Sequence, residues 1–123
     1  MMSDESDLRE RTVQFALRII KLCNAVGSSG ALGTIGRQLL RSGTSVGAQY
    51  REACRARSTA EFISKMESAS QELDESMYWL DLLARGNMIK PKRLEPLNKE
   101  ANELMAIFVA SVRTAKRSRS RDA

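Results

Sequence analysis

The chain has 123 residues, with 20 Lys plus Arg, 15 Asp plus Glu and no histidine, for a formal charge of +5. That length supports one domain with one core, and the missing histidine removes the usual general base near neutral pH and the commonest metal ligand. Cys23 and Cys54 stand alone, without CxxC or Cys/His zinc spacing, so most enzyme classes are excluded at the outset.

Few prolines and aromatics, with abundant Ala, Leu, Arg, Glu and Ser, favour helices over strands. No apolar run reaches the roughly 18–20 residues of a membrane span, because Arg18 and Lys21 interrupt the longest candidate. The first ten residues are acidic and lack an apolar stretch, against a signal peptide. The expectation is a cytoplasmic protein with reduced cysteines and no membrane partner. The basic balance suggests an acidic partner, nucleic acid first.

Residues 1–6 read as a disordered N-terminus, followed by one domain over 7–116. The first helix is predicted over about 7–26, with Leu8, Val13, Ala16, Leu17, Ile20 and Cys23 as its main apolar stripe. Phe15, Ile19, Leu22 and Val26 form a second stripe, more than a monomeric bundle requires, which points to an oligomer interface. Three glycines in 27–33 end this helix.

The second helix is predicted over about 34–56, with Ile35, Leu39, Val46, Tyr50 and Ala53 on its apolar face. Gly43 to Gly47 is a weak stretch where a bend or local opening is expected, although small residues there also permit close helix approach. The third helix, 58–85, opens with a capping box between Ser58 and Glu61. Its seam is Phe62, Met66, Ala69, Leu73, Met77 or Ser76, Leu80 and Leu83. Tyr78 and Trp79 lie beside that seam and read as buried between helices or subunits. Gly86 is the expected left-handed stop.

The fourth helix, about 91–115, follows Pro91 and carries Leu94, Leu97, Ala101, Leu104, Ile107 or Phe108, Ser111 and Ala115. Pro96 implies a kink or a start near Leu94. Residues 117–123 read as a basic disordered tail. Four helices with short connections predict an all-α fold, an up-down-up-down antiparallel four-helix bundle, and the surplus apolar surface adds assembly as a homo-oligomer.

Charge is unevenly placed. Over 34–57, Arg37, Arg41, Arg51, Arg55 and Arg57 face only Glu52, a net of +4, and the first, second, third and fourth of these arginines project within about 80° of one another at the ideal helical period. Over 58–85, Glu61, Glu67, Glu72, Asp74, Glu75 and Asp81 oppose Lys65 and Arg85, a net of −4. Two readings compete. The arginines pair with carboxylates of the third helix such as Glu67, Glu72 and Glu75, or they form a phosphate-binding row, Arg37, Arg41, Arg51 and Arg55, helped by Arg117 and Arg119 of the tail. The residues from 113 onward carry a net +4, leaving the body near +1. No carboxylate group has the His partner of a metal site, no P-loop follows Gly33, and no nucleophile–base motif occurs, so no catalytic residue, cofactor or metal is expected.

The segment Leu39-Leu40-Arg41-Ser42-Gly43-Thr44-Ser45-Val46-Gly47-Ala48-Gln49-Tyr50-Arg51-Glu52-Ala53, followed by Arg57-Ser58-Thr59-Ala60-Glu61-Phe62-Ile63-Ser64-Lys65-Met66, resembles a bacterial four-helix-bundle protein family. Its members are encoded by intervening sequences inside large-subunit ribosomal RNA genes, and relatives include the accessory variability determinant of diversity-generating retroelements. Glu72-Leu73-Asp74-Glu75-Ser76-Met77-Tyr78-Trp79-Leu80 and Ala84-Arg85-Gly86-Asn87-Met88-Ile89 match as well. Gly47 stands where many members carry proline, and Ala53 where glycine is common. The resemblance implies a cyclic homopentamer, no catalytic residues and, in the retroelement branch, a basic surface engaging nucleic acid and a reverse transcriptase. The oligomer interface expected here is Phe15, Ile19, Leu22, Tyr78 and Trp79. The alternative function is a protein-interaction scaffold, its arginines paired internally.

Overall fold

The computed structural model describes residues 4–122, with side chains described for 7–121. Four helices fill this span: α1 (Asp4–Val26), α2 (Gly30–Cys54), α3 (Thr59–Arg85) and α4 (Pro91–Asp122). The described residues contain no strand.

Local chemistry sets each boundary. α1 stops where Gly27 adopts φ 88°, a left-handed conformation glycine reaches without penalty. α2 starts at Gly30, four residues before the position expected from the sequence. Gly33 does not break the helix. Its missing side chain lets the backbone of Ser28 fold over the first turn, where a Cβ would stand 2.0 Å from a carbonyl oxygen.

Ser58 caps α3 by accepting the Glu61 amide at 3.0 Å, and Glu61 reaches back to the Arg57 amide at 3.2 Å, one residue before the reciprocal position of a standard capping box. At the far end of α3, Gly86 keeps φ −80° and Asn87 takes the left-handed conformation at φ 58°. Asparagine tolerates that region because its short amide bonds locally.

α4 begins at Pro91, and Pro96 lies inside it, so a start near Leu94 is not what the chain adopts. The helix also continues seven residues beyond the expected end at 115. Ala115 and Ser118 extend the three- and four-residue step of Phe108, Ser111 and Val112, small residues that keep α4 against its neighbours, and arginine is a good helix former. Residues 117–122, read from the sequence as a disordered tail, are therefore helical, and so are residues 4–6, read as part of a disordered N-terminus. Residues 1–3 and 123, also assigned to disordered termini, lie outside the described residues.

The core combines Phe15 and Ile19 of α1, Leu39 and Val46 of α2, Met66, Ala69, Leu73 and Leu80 of α3, and Leu94, Ala101, Leu104 and Phe108 of α4, all fully buried. At roughly 1.5–3 kcal/mol for each large side chain, this burial is the main favourable term. Tyr50 stacks on Phe108 with centroids 5.8 Å apart. α2 packs on α1 and α3, α3 on α4, and α1 meets α4 more sparsely. That last pair is tied by Arg11, whose Nε and Nη2 donate to Glu100 at 3.0 and 2.6 Å.

Gly43 and Gly47 sit within an unbroken α2 with no local opening. A Cβ at Gly43 would lie 2.3 Å from Ile19 Cδ1, and one at Gly47 would lie 3.1 Å from Thr12 Oγ1. The two glycines are notches that receive α1, and that close packing offsets their poor propensity.

The same notches orient α1. They receive the face bearing Thr12, Phe15, Ile19 and Leu22, which is buried, and turn Val13, Leu17 and Ile20 outward, 38, 50 and 37% exposed. Both stripes are apolar, so periodicity alone cannot assign them, and the expectation is reversed for Val13, Leu17 and Ile20, while Leu8 and Cys23 of the same stripe do meet the core. Phe15, Ile19 and Leu22 belong to the chain's own core and are not available to a second subunit.

Candidate functional site

The arginines of α2 divide according to what faces them. Arg41, at mid-helix, is held by α3: its Nη1 donates to Glu72 at 3.1 Å and its Nη2 to Glu75. The hydrogen bond to Glu75 pushes the Arg41 pKa up, and the same bond holds the Glu75 carboxyl below the usual carboxylate range, assisted by Trp79 Nε1, which donates to it at 3.3 Å. The neighbouring Ser42 and Ser76 hydroxyls meet at 2.9 Å in the core, and Lys65 reaches Glu52 at 3.2 Å. Rising positions along α2 thus meet falling positions along α3. For Arg41, the internal-pairing reading is the one observed. Glu67 pairs instead with Lys116, at 3.5 Å.

Arg37, Arg51 and Arg55 are exposed, and none reaches a carboxylate among the described residues. Arg37 donates to Thr34 of its own helix at 3.3 Å. Arg51 borders a groove of 280 Å³ between α1 and α2, whose apolar wall includes Val13, Ala16 and Leu17. Arg55 is the residue that closes α2, with its amide bonded to Glu52 O at 3.1 Å. From Arg37 to Arg55 the helix rises about 27 Å, so the expected row is a spaced series, interrupted by Arg41, and not one patch.

The structure assembles a different group. At the turn between α2 and α3 an open cavity of 620 Å³ is lined by Leu8, Tyr50, Ala53, Cys54, Ala56, Arg57, Ser58, Thr59, Phe62, Met66, Ser111, Ala115 and Ser118. The helical continuation of α4 therefore runs past the α2–α3 turn. Arg113, Arg117, Arg119 and Arg121, exposed and without a carboxylate partner among the described residues, come to the same end of the molecule as Arg55 and Arg57. Of these arginines only Arg57 lines the cavity, while Arg113, Arg117 and Arg121 border a separate groove along α4 with Thr114, Lys116 and Ser120. Arg57, Arg113 and Arg121 lie at the same end, a placement the sequence does not reveal, because a basic run gives no sign that it is docked. A smaller basic cleft, with Arg18, Lys21 and Arg93, lies where α1 meets the start of α4.

Tyr78 is 55% exposed and packs edge-on to the half-buried Trp79, with centroids 5.1 Å apart. Of the five residues expected at an oligomer interface, these two lie at the surface. Val13, Leu17 and Ile20 share an exposed face at helical spacing, a signal present in the sequence but read there as core. Cys23 donates to Gly36 O at 3.4 Å, and burial pushes its thiol pKa up, which makes it a poor nucleophile. Among the described residues no group of three or more His, Cys, Asp or Glu side chains is placed to hold a metal, and no helix is long and apolar enough to cross a membrane.

No curated protein sequence matches the chain. A crystal structure of a protein of unknown function from the S23 ribosomal protein family of Bacteroides thetaiotaomicron VPI-5482 is similar, with 32% sequence identity and a TM-score of 0.83 over 90% of this chain and 99% of that one. Residues 4–110 match the model described as 23S rRNA-intervening sequence protein, a span that covers α1, α2, α3 and more than half of α4 and ends before the basic group at 113–121. Over that span the chain belongs to the 23S rRNA-intervening sequence protein family.

Proposed function

We propose that this protein is a non-enzymatic, cytoplasmic, oligomeric bundle of antiparallel helices that binds structured RNA, through the basic end formed by the α2–α3 turn and the last turns of α4. The observation that carries this reading is the placement of Arg55, Arg57, Arg113, Arg117, Arg119 and Arg121 at one end of the molecule, with no guanidinium among them paired to a carboxylate among the described residues. Unpaired guanidinium groups keep their full capacity for phosphate, and each phosphate contact releases condensed counterions. Membership of a family named for 23S rRNA intervening sequences favours RNA over DNA as the polymer. The test is the affinity for a structured RNA as salt is raised. The reading expects a steep linear fall of log affinity with log salt, and affinity that is absent or independent of salt contradicts it.

Assembly is supported by Val13, Leu17 and Ile20, which line an exposed apolar face of α1 beside the α1–α2 groove. A cyclic homopentamer, the assembly implied by the family resemblance, repeats the basic end around an axis and multiplies its field. Leu17→Glu is expected to reduce the solution mass to that of one chain while leaving the helical content unchanged, as read by sedimentation and circular dichroism. An unchanged mass contradicts the assignment of this face.

The second reading is a protein-interaction scaffold, for example a subunit that recruits a reverse transcriptase. The Arg41 clamp to Glu72 and Glu75 favours it, because that arginine is already occupied within the chain. It predicts RNA affinity indifferent to substitutions at Arg55 and Arg117.

A further inference from the structure

We infer that the open cavity at the basic end of the bundle receives one unstacked nucleobase of a bound RNA, while the surrounding arginines hold the flanking phosphates. The inference rests on the RNA-binding reading and adds to it a preference for RNA with an unpaired nucleotide.

The cavity has the two kinds of wall such an occupant needs. Its lining includes the half-buried ring of Phe62 beside the buried Tyr50 and Met66, and its 620 Å³ lies within the range of about 300–1,000 Å³ typical of small-ligand sites. Its rim is polar. Ser58 and Ser111 use their hydroxyls within their own helices, whereas the hydroxyls of Thr59 and Ser118 make no hydrogen bond among the described residues and can meet the edge of a base.

Cations frame the opening. Arg57 stands on the rim. At the ideal helical period, Arg119 and Arg121 leave α4 about 80° to either side of the strip Ser111, Ala115 and Ser118 that faces the cavity. An apolar ligand would leave these charges without a role, and a small inorganic anion would leave the apolar lining unfilled. A base carried on a polyanionic backbone satisfies both, since bases stack on apolar and aromatic side chains while phosphates engage arginine.

The experiment compares a short RNA hairpin carrying one unpaired adenosine with its fully paired counterpart, with adenosine monophosphate as a separate arm. The protein is expected to bind the bulged hairpin about tenfold more tightly. Ala115→Phe and Ser118→Trp, which fill the cavity from α4, are expected to bring the bulged hairpin down to the affinity of the paired one. Ala115 packs against the core and Ser118 lies one turn farther along α4, so the Ser118 variant tests the cavity even if the phenylalanine disturbs packing. Equal affinity of the unmodified protein for the two hairpins overturns the inference, as does a preference that persists in both variants. Tight binding of adenosine monophosphate with no preference between the hairpins overturns it too, in favour of a free-nucleotide site. Failure to bind either hairpin removes the RNA-binding reading itself, an outcome distinct from the loss of a bulge preference.

Discussion

The middle of α2 and its C-terminal end carry the same residue type and differ in what stands opposite. At the middle, Arg41 faces Glu72 and Glu75, Ser42 faces Ser76, and Gly43 receives Ile19. At the end, Arg57 lines an open cavity shared with Ser111, Ala115 and Ser118 of α4, and Arg55, two residues before it, is exposed. The first region is built to join three helices, and the second leaves its charge without a carboxylate opposite among the described residues. An arginine's role is therefore set by the element across from it, which the helical period of its own sequence does not reveal.

Packing substitutions should separate the two regions most strongly. Gly43→Val drives a branched side chain into Ile19 and is expected to lower stability by about 2–3 kcal/mol, measured from the denaturant midpoint. A loss below about 0.5 kcal/mol would show that the middle of α2 is not a packing site.

Acid provides a smaller contrast. Glu75 is held below its ordinary range by Arg41, so its contribution to stability is present above the unfolded carboxylate range, near pH 4, and is lost as pH falls through the lower folded value. The thermal midpoint should therefore fall further between about pH 5 and about pH 3 in the unmodified protein than in Arg41→Met. Parallel curves would mean that the clamp contributes nothing in solution.

Much of the fold is legible in the sequence. The seams of α3 and α4 follow one clear period, and Met66, Ala69, Leu73, Leu80, Leu94, Leu97, Ala101 and Leu104 are all buried. α1 misleads because it carries two apolar stripes, and only the glycine notches of α2 decide which faces inward. The end of α4 misleads because Arg117 to Arg121 contain no apolar residue, and its course past the α2–α3 turn is a tertiary fact. The candidate site is correspondingly half visible. Arg55, Arg117 and Arg119 can be named as separate charges, but neither their location at one end of the molecule nor the cavity beside Arg57 has a local signature.

The most direct test of the contrast is the salt dependence of RNA affinity in two variants measured side by side. Arg55→Gln/Arg117→Gln should lower the slope of log affinity against log salt by roughly two, one for each phosphate no longer neutralised. Arg41→Met should leave the slope unchanged. A slope reduced as much by Arg41→Met, or untouched by the paired substitution, would contradict the assignment of RNA binding to the end of the bundle.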